Sequence, residues 1–297
     1  MPIKQYDAII VGGSYAGLSA AMPLVRARRN VLVIDAGIRR NRFVEASHGF
    51  LGQDGRHPSV IAADAREQLL RYATVHWHEG TAIAASGHND DFKITLKGGI
   101  VHHARRLILA TGVTDDLPKI DGLSERWGKS AFNCPYCDGY ELNQGRIGIL
   151  ASGPFAIHQA LMLADWGQVT LFTNNTVMPD SIQLSSLEAR SVRIEAVSVN
   201  KITDHATVVL ADGRTLFQDG LFVTTLTRIS SPLAEQLGCG FEAGFSGAFI
   251  HTDATMVTTV KGVYACGDAA REKHSIAFSV GDGFQAGVAT HQSLIFG

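Results

Sequence analysis

The chain has 297 residues, 26 Lys and Arg against 28 Asp and Glu, 45% apolar residues and 31 glycines. At about 150 residues per domain, this length points to two domains, each long enough to bury a core. A net charge of −2 offers no general attraction to nucleic acid or to an acidic membrane surface. No apolar run reaches the roughly 18 residues that cross a bilayer.

Met1-Pro2-Ile3-Lys4 leads straight into a strand-like run, without a long apolar stretch or a small-residue cleavage site, so no signal peptide is expected. Residues 7–12 (Asp-Ala-Ile-Ile-Val-Gly) read as a buried strand. Residues 16–28 follow with helical spacing of Leu18, Ala21 and Val25, and 31–35 (Val-Leu-Val-Ile-Asp) read as a second strand. This is a β-α-β unit. Next come an alternating segment, 92–101, and a buried run, 106–112 (Arg-Leu-Ile-Leu-Ala-Thr-Gly). Pro118, Gly122 and Gly128 punctuate the chain after it, which places a boundary near 113–118. The β-α-β pattern then returns, with a strand at 146–151, a helix at 155–166 and a strand at 168–172. A short apolar strand at 262–266 ends in Gly267-Asp268, and 281–295 read as a helix. Two mononucleotide-type units in one chain predict a two-domain α/β architecture.

The loop Gly12-Gly13-Ser14-Tyr15-Ala16-Gly17 lies between strand and helix, where a dinucleotide fingerprint belongs. A helix N-terminus presents unpaired N–H groups and a positive dipole end to a pyrophosphate, and glycines let the backbone approach it. Gly12 and Gly17 fit the first and third glycines. Ser14 stands at the middle one, small enough to fit and able to donate a hydrogen bond. Asp35 ends the second strand, where an acid accepts hydrogen bonds from an adenosine ribose. The plainer alternative is an ordinary tight turn.

Four cysteines do not make a disulfide framework, but Cys134-Pro135-Tyr136-Cys137 is a C-x-x-C. In a reducing compartment that spacing means redox or metal chemistry. Zinc needs four ligands, usually two such pairs. A thioredoxin-type helix carries its pair early in a small domain. A purely structural pair leaves the adjoining Asp138-Gly139 without a role, so a redox pair is favoured over these three. Two sulfurs three residues apart can close a disulfide with little backbone motion and shuttle two electrons. Cys239 and Cys266 read as buried small apolar residues, His102-His103 as solvated, and Trp166 as a core residue. None of the 12 histidines stands in a ligand spacing, so no metal site is expected.

Ala110-Thr111-Gly112 after a buried strand, Cys134-Pro135-Tyr136-Cys137-Asp138-Gly139 before the second β-α-β unit and Tyr264-Ala265-Cys266-Gly267-Asp268 near the end follow the Gly12–Gly17 loop in a characteristic order. That order resembles the low-molecular-weight thioredoxin reductase family of FAD-dependent disulfide oxidoreductases, over roughly residues 5–295. The resemblance implies two Rossmann-like, three-layer dinucleotide-binding domains, the second inserted into the first. The FAD domain would comprise 1–114 and 236–297, and the inserted NAD(P)H-type domain, carrying the cysteines, 115–235. It further implies a homodimer and a cytoplasmic location. FAD would lie on Gly12, Gly13, Ser14, Ala16 and Gly17, with its ribose on Asp35 and Ala36. Ala110, Thr111, Gly112, Gly267 and Asp268 would line the rest. Ser275-Ile276-Ala277 stand where many members have Arg-Gln-Ala beside the flavin ring, so Ile276 and Ala277 would approach it. The loop carrying Asn41, Arg42, His48 and Gln53 passes near the flavin in the family. Cys137 would face the flavin, Cys134 would attack the substrate disulfide, and Asp138 would exchange the proton of the thiol.

The second loop departs from the family pattern. It reads Ala151-Ser152-Gly153-Pro154-Phe155-Ala156, with alanine for the first glycine and a proline that lacks an N–H. After the following strand, Thr173-Asn174-Asn175-Thr176 offers neither the arginines that clasp a 2′-phosphate nor the acid of an NAD site. Arg190 and Arg193 are the nearest downstream cations. An arginine–phosphate contact is worth on the order of 1.5–3 kcal/mol, so losing two weakens binding by roughly two to four decades. Weak or absent NADPH use is therefore expected. Family branches of this kind take electrons from ferredoxin or carry a second flavin. The partner would be a thioredoxin-like protein or a small dithiol or disulfide. The chain also resembles the dithiol oxidases of the gliotoxin and holomycin type, which share a similar Cys-Pro-Tyr-Cys motif and the continuation Gly139-Tyr140-Glu141 but tend to have histidine at the position of Asp138.

Overall fold

The computed structural model describes residues 5–297. They form two compact units, one built from residues up to 42, 58–114 and 227–297, the other from 43–57 and 115–226. The second is thus an insertion between strands of the first, with the short excursion 43–57 added to it.

The first unit is organised on a seven-stranded sheet in the order Val75–Glu79, Val31–Asp35, Gln5–Val11, Val101–Leu109, Asp91–Leu96, Ala82–His88. Val263–Ala265 also pairs, in parallel, with the second half of Val101–Leu109, whose first half pairs antiparallel with Asp91–Leu96. The central strands are parallel and apolar on both faces, as a sheet covered on both sides requires. Alternate residues divide between two cores. Ile9, Val11, Leu32 and Ile34 face one; Ala8, Ile10, Val31 and Val33 face the other. The helices Tyr15–Arg26 and Ile276–Phe296 pack in the second core. They lie very close together because Gly283 and Gly287 have no side chain; a Cβ at either would overlap the carbonyl oxygen of Ala16 or Ala20.

The second unit holds five parallel strands in the order Arg193–Glu195, Gln168–Phe172, Arg146–Leu150, Gly220–Val223, Ala131–Phe132. The helix Phe155–Leu163 covers one face through Ala156, Ala160 and Leu163. An antiparallel sheet, Val199–Thr203, Thr207–Leu210 and Thr215–Phe217, covers the other through Ile202, Val208 and Leu210.

The strands at 31–35 and 168–172 fall where the sequence puts them. The last helix begins five residues before its expected start at 281, because the Ser275 hydroxyl accepts the Phe278 N–H and caps it there. The chain re-enters the first unit at 227 rather than 236, since Leu233 and Ala234 already lie in that unit's core. His102 and His103, expected in solvent, belong to the strand Val101–Leu109 and are half-buried. The His102 ring packs edge-on against His78 at 5.3 Å and Tyr6 at 6.1 Å, and burial lowers its affinity for a proton. Cys239 and Cys266 are buried free thiols, both pushed upward by burial. Trp166 packs against the second unit's core at its partly buried edge.

Candidate active site

Cys134 caps the N-terminus of a single helical turn, Pro135–Asp138. Proline suits the first helical position, because the N–H it lacks would have no partner there. The turn brings the Cα atoms of Cys134 and Cys137 to 5.3 Å, and their sulfurs are joined in a disulfide. Both residues are half-buried. Gly139 ends the turn directly under Trp166; a Cβ there would stand 2.8 Å from the indole Cδ1 and 2.6 Å from the Pro135 carbonyl oxygen. Tyr136 meets the same indole edge-on at 5.4 Å. On the other side, buried Gln159 donates to the Asn133 carbonyl at 3.2 Å and accepts from Thr224 Oγ1 at 3.3 Å, fixing the segment before Cys134.

Asp138 is the perturbed group of this site. Burial pushes its carboxyl up to about 7, the negative charge of Glu141 adds to the rise, and His48 opposes it. His48 comes from the excursion 43–57. Its Nε2 lies 3.4 Å from Glu141 Oε1 and its Nδ1 3.6 Å from Asp54 Oδ1. The same Asp54 oxygen accepts the Gly49 N–H at 2.8 Å. A carboxyl that titrates near neutrality beside a disulfide can both give and take the proton of an exchanging thiol.

In the first unit, the loop after Gln5–Val11 fits a dinucleotide. Gly12 has φ +107°, and a Cβ on it would overlap the Ala110 carbonyl oxygen; one on Gly17 would overlap the Gly12 carbonyl oxygen. A Cβ on Gly13 would strike the Trp77 ring at 2.5 Å. Ser14 occupies the cap position of the following helix without a side-chain capping bond, and the first turn holds no acid. The N-terminal N–H groups there are thus left for an external anion. Asp35 accepts the Gly13 N–H at 3.1 Å, which holds its carboxylate at the mouth of the loop beside Ala36. Ala110, Thr111 and Gly112 follow the neighbouring strand, which ends at Leu109, and the Gly112 carbonyl accepts the Ser230 N–H. Gly267 and Asp268 open a short 3-10 turn. Arg40 Nη1 donates to Asp268 Oδ2 at 2.9 Å, and Ser279 Oγ donates to Asp268 Oδ1 at 3.3 Å. Asn41 donates to the Tyr15 hydroxyl at 3.2 Å, while Arg42 turns back onto the Arg39 carbonyl. Ile276 and Ala277 start the last helix.

The structure thus gathers Gly12, Gly13, Ser14, Ala16, Gly17, Asp35, Ala36, Asn41, Arg42, Ala110, Thr111, Gly112, Gly267, Asp268, Ile276 and Ala277 in the first unit, and Cys134, Cys137 and Asp138 in the second. His48 and Gln53 belong with the second: His48 reaches Glu141, and Gln53 accepts from Arg56. Three neighbours escaped sequence reasoning: Arg40 on Asp268, Trp77 under Gly13, and Glu141 on His48. The run Arg39-Arg40-Asn41-Arg42 after an acid-ended strand was the available signal for Arg40.

The loop of the second β-α-β unit carries no charge. Its Ala151 carbonyl accepts the Thr176 hydroxyl at 2.9 Å, and Ser152 donates to the Thr224 carbonyl. Asn174 and Asn175 both have positive φ, and their side chains are used on the Val199 N–H at 3.0 Å and Ser198 Oγ at 2.6 Å. Arg190 is paired with Asp165, and Glu195 with Arg214 at 2.8 Å. Thr173, Val177, Met178, Pro179 and Ile194 line an open pocket of about 480 Å³ beside this loop.

The chain is similar to known proteins over nearly its whole length. The family model described as pyridine nucleotide-disulphide oxidoreductase matches residues 6–288. Thioredoxin reductase tcpT of Claviceps purpurea is 32% identical, over 97% of this chain and 94% of its own. The crystal structure of an oxidoreductase from Agrobacterium tumefaciens is 54% identical, covers 99% of both chains and superposes with a TM-score of 0.97. That of HlmI is 32% identical, with 98% of this chain and 93% of its own covered and a TM-score of 0.91. The chain belongs to the pyridine nucleotide-disulphide oxidoreductase family and is an FAD-binding oxidoreductase of the thioredoxin-reductase-like kind.

Proposed function

We propose that the chain is an FAD-dependent thiol–disulfide oxidoreductase whose Cys134–Cys137 disulfide exchanges electrons with a thioredoxin-like protein or another dithiol, with weak or absent use of NADPH. The observation that carries this reading is the Cys134–Cys137 disulfide, placed one residue from a carboxyl that titrates at about 7. Gly12, Gly13, Ser14 and Gly17 would hold the FAD pyrophosphate at the helix N-terminus, Asp35 and Ala36 its ribose, and Asp268, fixed by Arg40, the chain between ribose and ring. When bound, FAD supplies a two-electron acceptor and donor matched to a dithiol–disulfide couple.

The chain's own residues perform the exchange. In the oxidising direction, a substrate thiol gives its proton to Asp138 and its sulfur attacks Cys134 Sγ. The Cys134–Cys137 bond breaks as the mixed disulfide forms, and Cys137 leaves as a thiolate with the electron pair. The substrate's second thiol then passes its proton to the Cys137 thiolate and its sulfur displaces Cys134, which leaves with the electron pair; a substrate disulfide and the reduced pair remain. Run backwards, the same steps reduce a partner disulfide. Weak NADPH use is supported by the uncharged loop at 173–176, whose asparagine side chains are committed to Ser198 and Val199. We further infer a homodimer in a reducing, cytoplasmic setting, with a ferredoxin or a second flavin as candidate donor.

The test is anaerobic. Purified protein should be yellow, lose flavin absorbance with dithiothreitol and keep it with NADPH. The Cys137→Ser variant should keep it with both. Rapid bleaching by NADPH would remove the weak-NADPH claim, and a Cys137→Ser variant that bleaches with dithiothreitol would remove the role of the pair.

A second reading, a dithiol oxidase that closes disulfides in small metabolites and passes electrons to oxygen, is favoured by the continuation Gly139-Tyr140-Glu141 together with the uncharged second loop. Oxygen uptake driven by small dithiols would select it. Turnover of a thioredoxin-like protein without such uptake would select the first.

A further inference from the structure

The excursion 43–57 leaves the first unit's chain, joins the second unit and returns. Its shape is set by its own hydrogen bonds. Ser47 and Arg56 bridge across it, Gln53 N–H meets the Phe50 carbonyl, and Gly49, Gly52 and Gly55 take positive φ at its bends. Asp54 folds back to accept the Gly49 N–H. The outcome of this folding is the placement of one imidazole. The His48 side chain is 22% exposed and lies between two carboxylates, Asp54 at 3.6 Å and Glu141 at 3.4 Å. Glu141 sits in the 3-10 turn Tyr140–Leu142, which follows the redox helix without a gap wider than Gly139. Glu141 raises and His48 lowers the affinity of Asp138 for a proton, and Asp54 Oδ1 lies 3.6 Å from the far ring nitrogen of His48.

We propose that His48, held between Asp54 and Glu141, is a positioning residue for the thiol–disulfide exchange: the charge on its ring decides how much of the Glu141 charge reaches Asp138, and so over which pH range the exchange runs. This rests on the reading of Asp138 as the proton-handling group.

The electrostatics fix the signs. A carboxylate near a second carboxylate holds its proton more tightly, and a nearby cation loosens it. With the ring charged, Glu141 is neutralised and Asp138 can take the proton of an entering thiol as a carboxylate. With the ring neutral, Glu141 acts unopposed and Asp138 keeps its proton, ready to give it to a departing sulfur. His48 itself makes and breaks no bond in either direction.

The experiment measures the pH dependence of a single turnover: reduction of the Cys134–Cys137 disulfide by dithiothreitol in the FAD-loaded full chain. Thiol release is read both by alkylation and by flavin absorbance, and alkylation alone is repeated on cofactor-stripped protein. Glu141→Gln should move the profile down by about half to one pH unit, and His48→Gln should move it up by a similar amount. His48→Arg, which keeps a cation at all pH values, should not follow His48→Gln upward. The double variant should sit with Glu141→Gln, because the ring acts through that carboxylate. Two profiles moving the same way, or neither moving, while Asp138→Asn still flattens the dependence, would overturn the proposal and leave Asp138 in its role. If Asp138→Asn does not flatten it, the premise fails and the proposal falls with it. If His48→Gln disturbs the loop and only lowers the amplitude, the Glu141→Gln and His48→Arg profiles decide.

Discussion

Replacing Asp138 by Asn tests the site through stability as well as activity. A carboxyl raised from its ordinary value of 3.8 to about 7 binds a proton in the folded chain over a pH range where the unfolded chain has released it. Folding is therefore favoured at low pH and loses stability as pH climbs from about 4 to 7. The shift is roughly three pH units at about 1.4 kcal/mol each, which gives a ceiling near 4 kcal/mol. Because Asp138 is half-buried, about 2 kcal/mol is the working expectation at alkaline pH. Asn has nearly the same shape and never ionises, so the variant avoids this loss. Denaturant midpoints of both proteins at pH 5 and pH 8.5 isolate the effect, since titrating groups that do not interact with Asp138 cancel in the comparison. Asp138→Asn should gain on the wild type by about 1 kcal/mol between the two pH values, because the part of the loss below pH 5 lies outside this window, while its thiol exchange slows on the order of a hundredfold or more. A stability difference that stays constant with pH would refute the burial argument, whatever happened to the rate.

Gly12→Ala should purify with little flavin, because its Cβ would overlap the Ala110 carbonyl at a φ of +107°; absorbance per chain measures this. Arg40→Ala should weaken flavin retention by about ten- to a hundredfold by freeing Asp268, as the loss of one charge-assisted hydrogen bond predicts, and equilibrium dialysis of the flavin reads it. Gly139→Ala must displace Trp166, at about 1–3 kcal/mol, and should shift indole emission without removing the flavin. An unshifted spectrum with an unchanged midpoint would contradict the packing described for that turn.

What could be read in the sequence was local. The strand–loop–helix around Gly12–Gly17 shows itself through periodicity and glycine spacing within a short window, and the C-x-x-C is a spacing in itself. Arg40–Asp268 and His48–Glu141 are pairs between distant segments, and no periodicity encodes them. The helix Ser181–Ala189 has a legible start, the capping box of Asp180 and Gln183, but its apolar face is too weak for periodicity to show it. His102 was misplaced for a related reason. Polar residues at the head of a strand look solvated until a neighbouring strand brings His78 and Tyr6 against them.

The contact of Gly283 and Gly287 with Ala16 and Ala20 joins a helix made before the inserted unit to one made after it. During synthesis the early nucleotide loop must wait, unsealed, while the entire inserted unit emerges from the ribosome. Flavin capture then comes after synthesis of the inserted unit. Arrested nascent chains ending before Ile276 should remain colourless, and those that retained flavin would contradict this order.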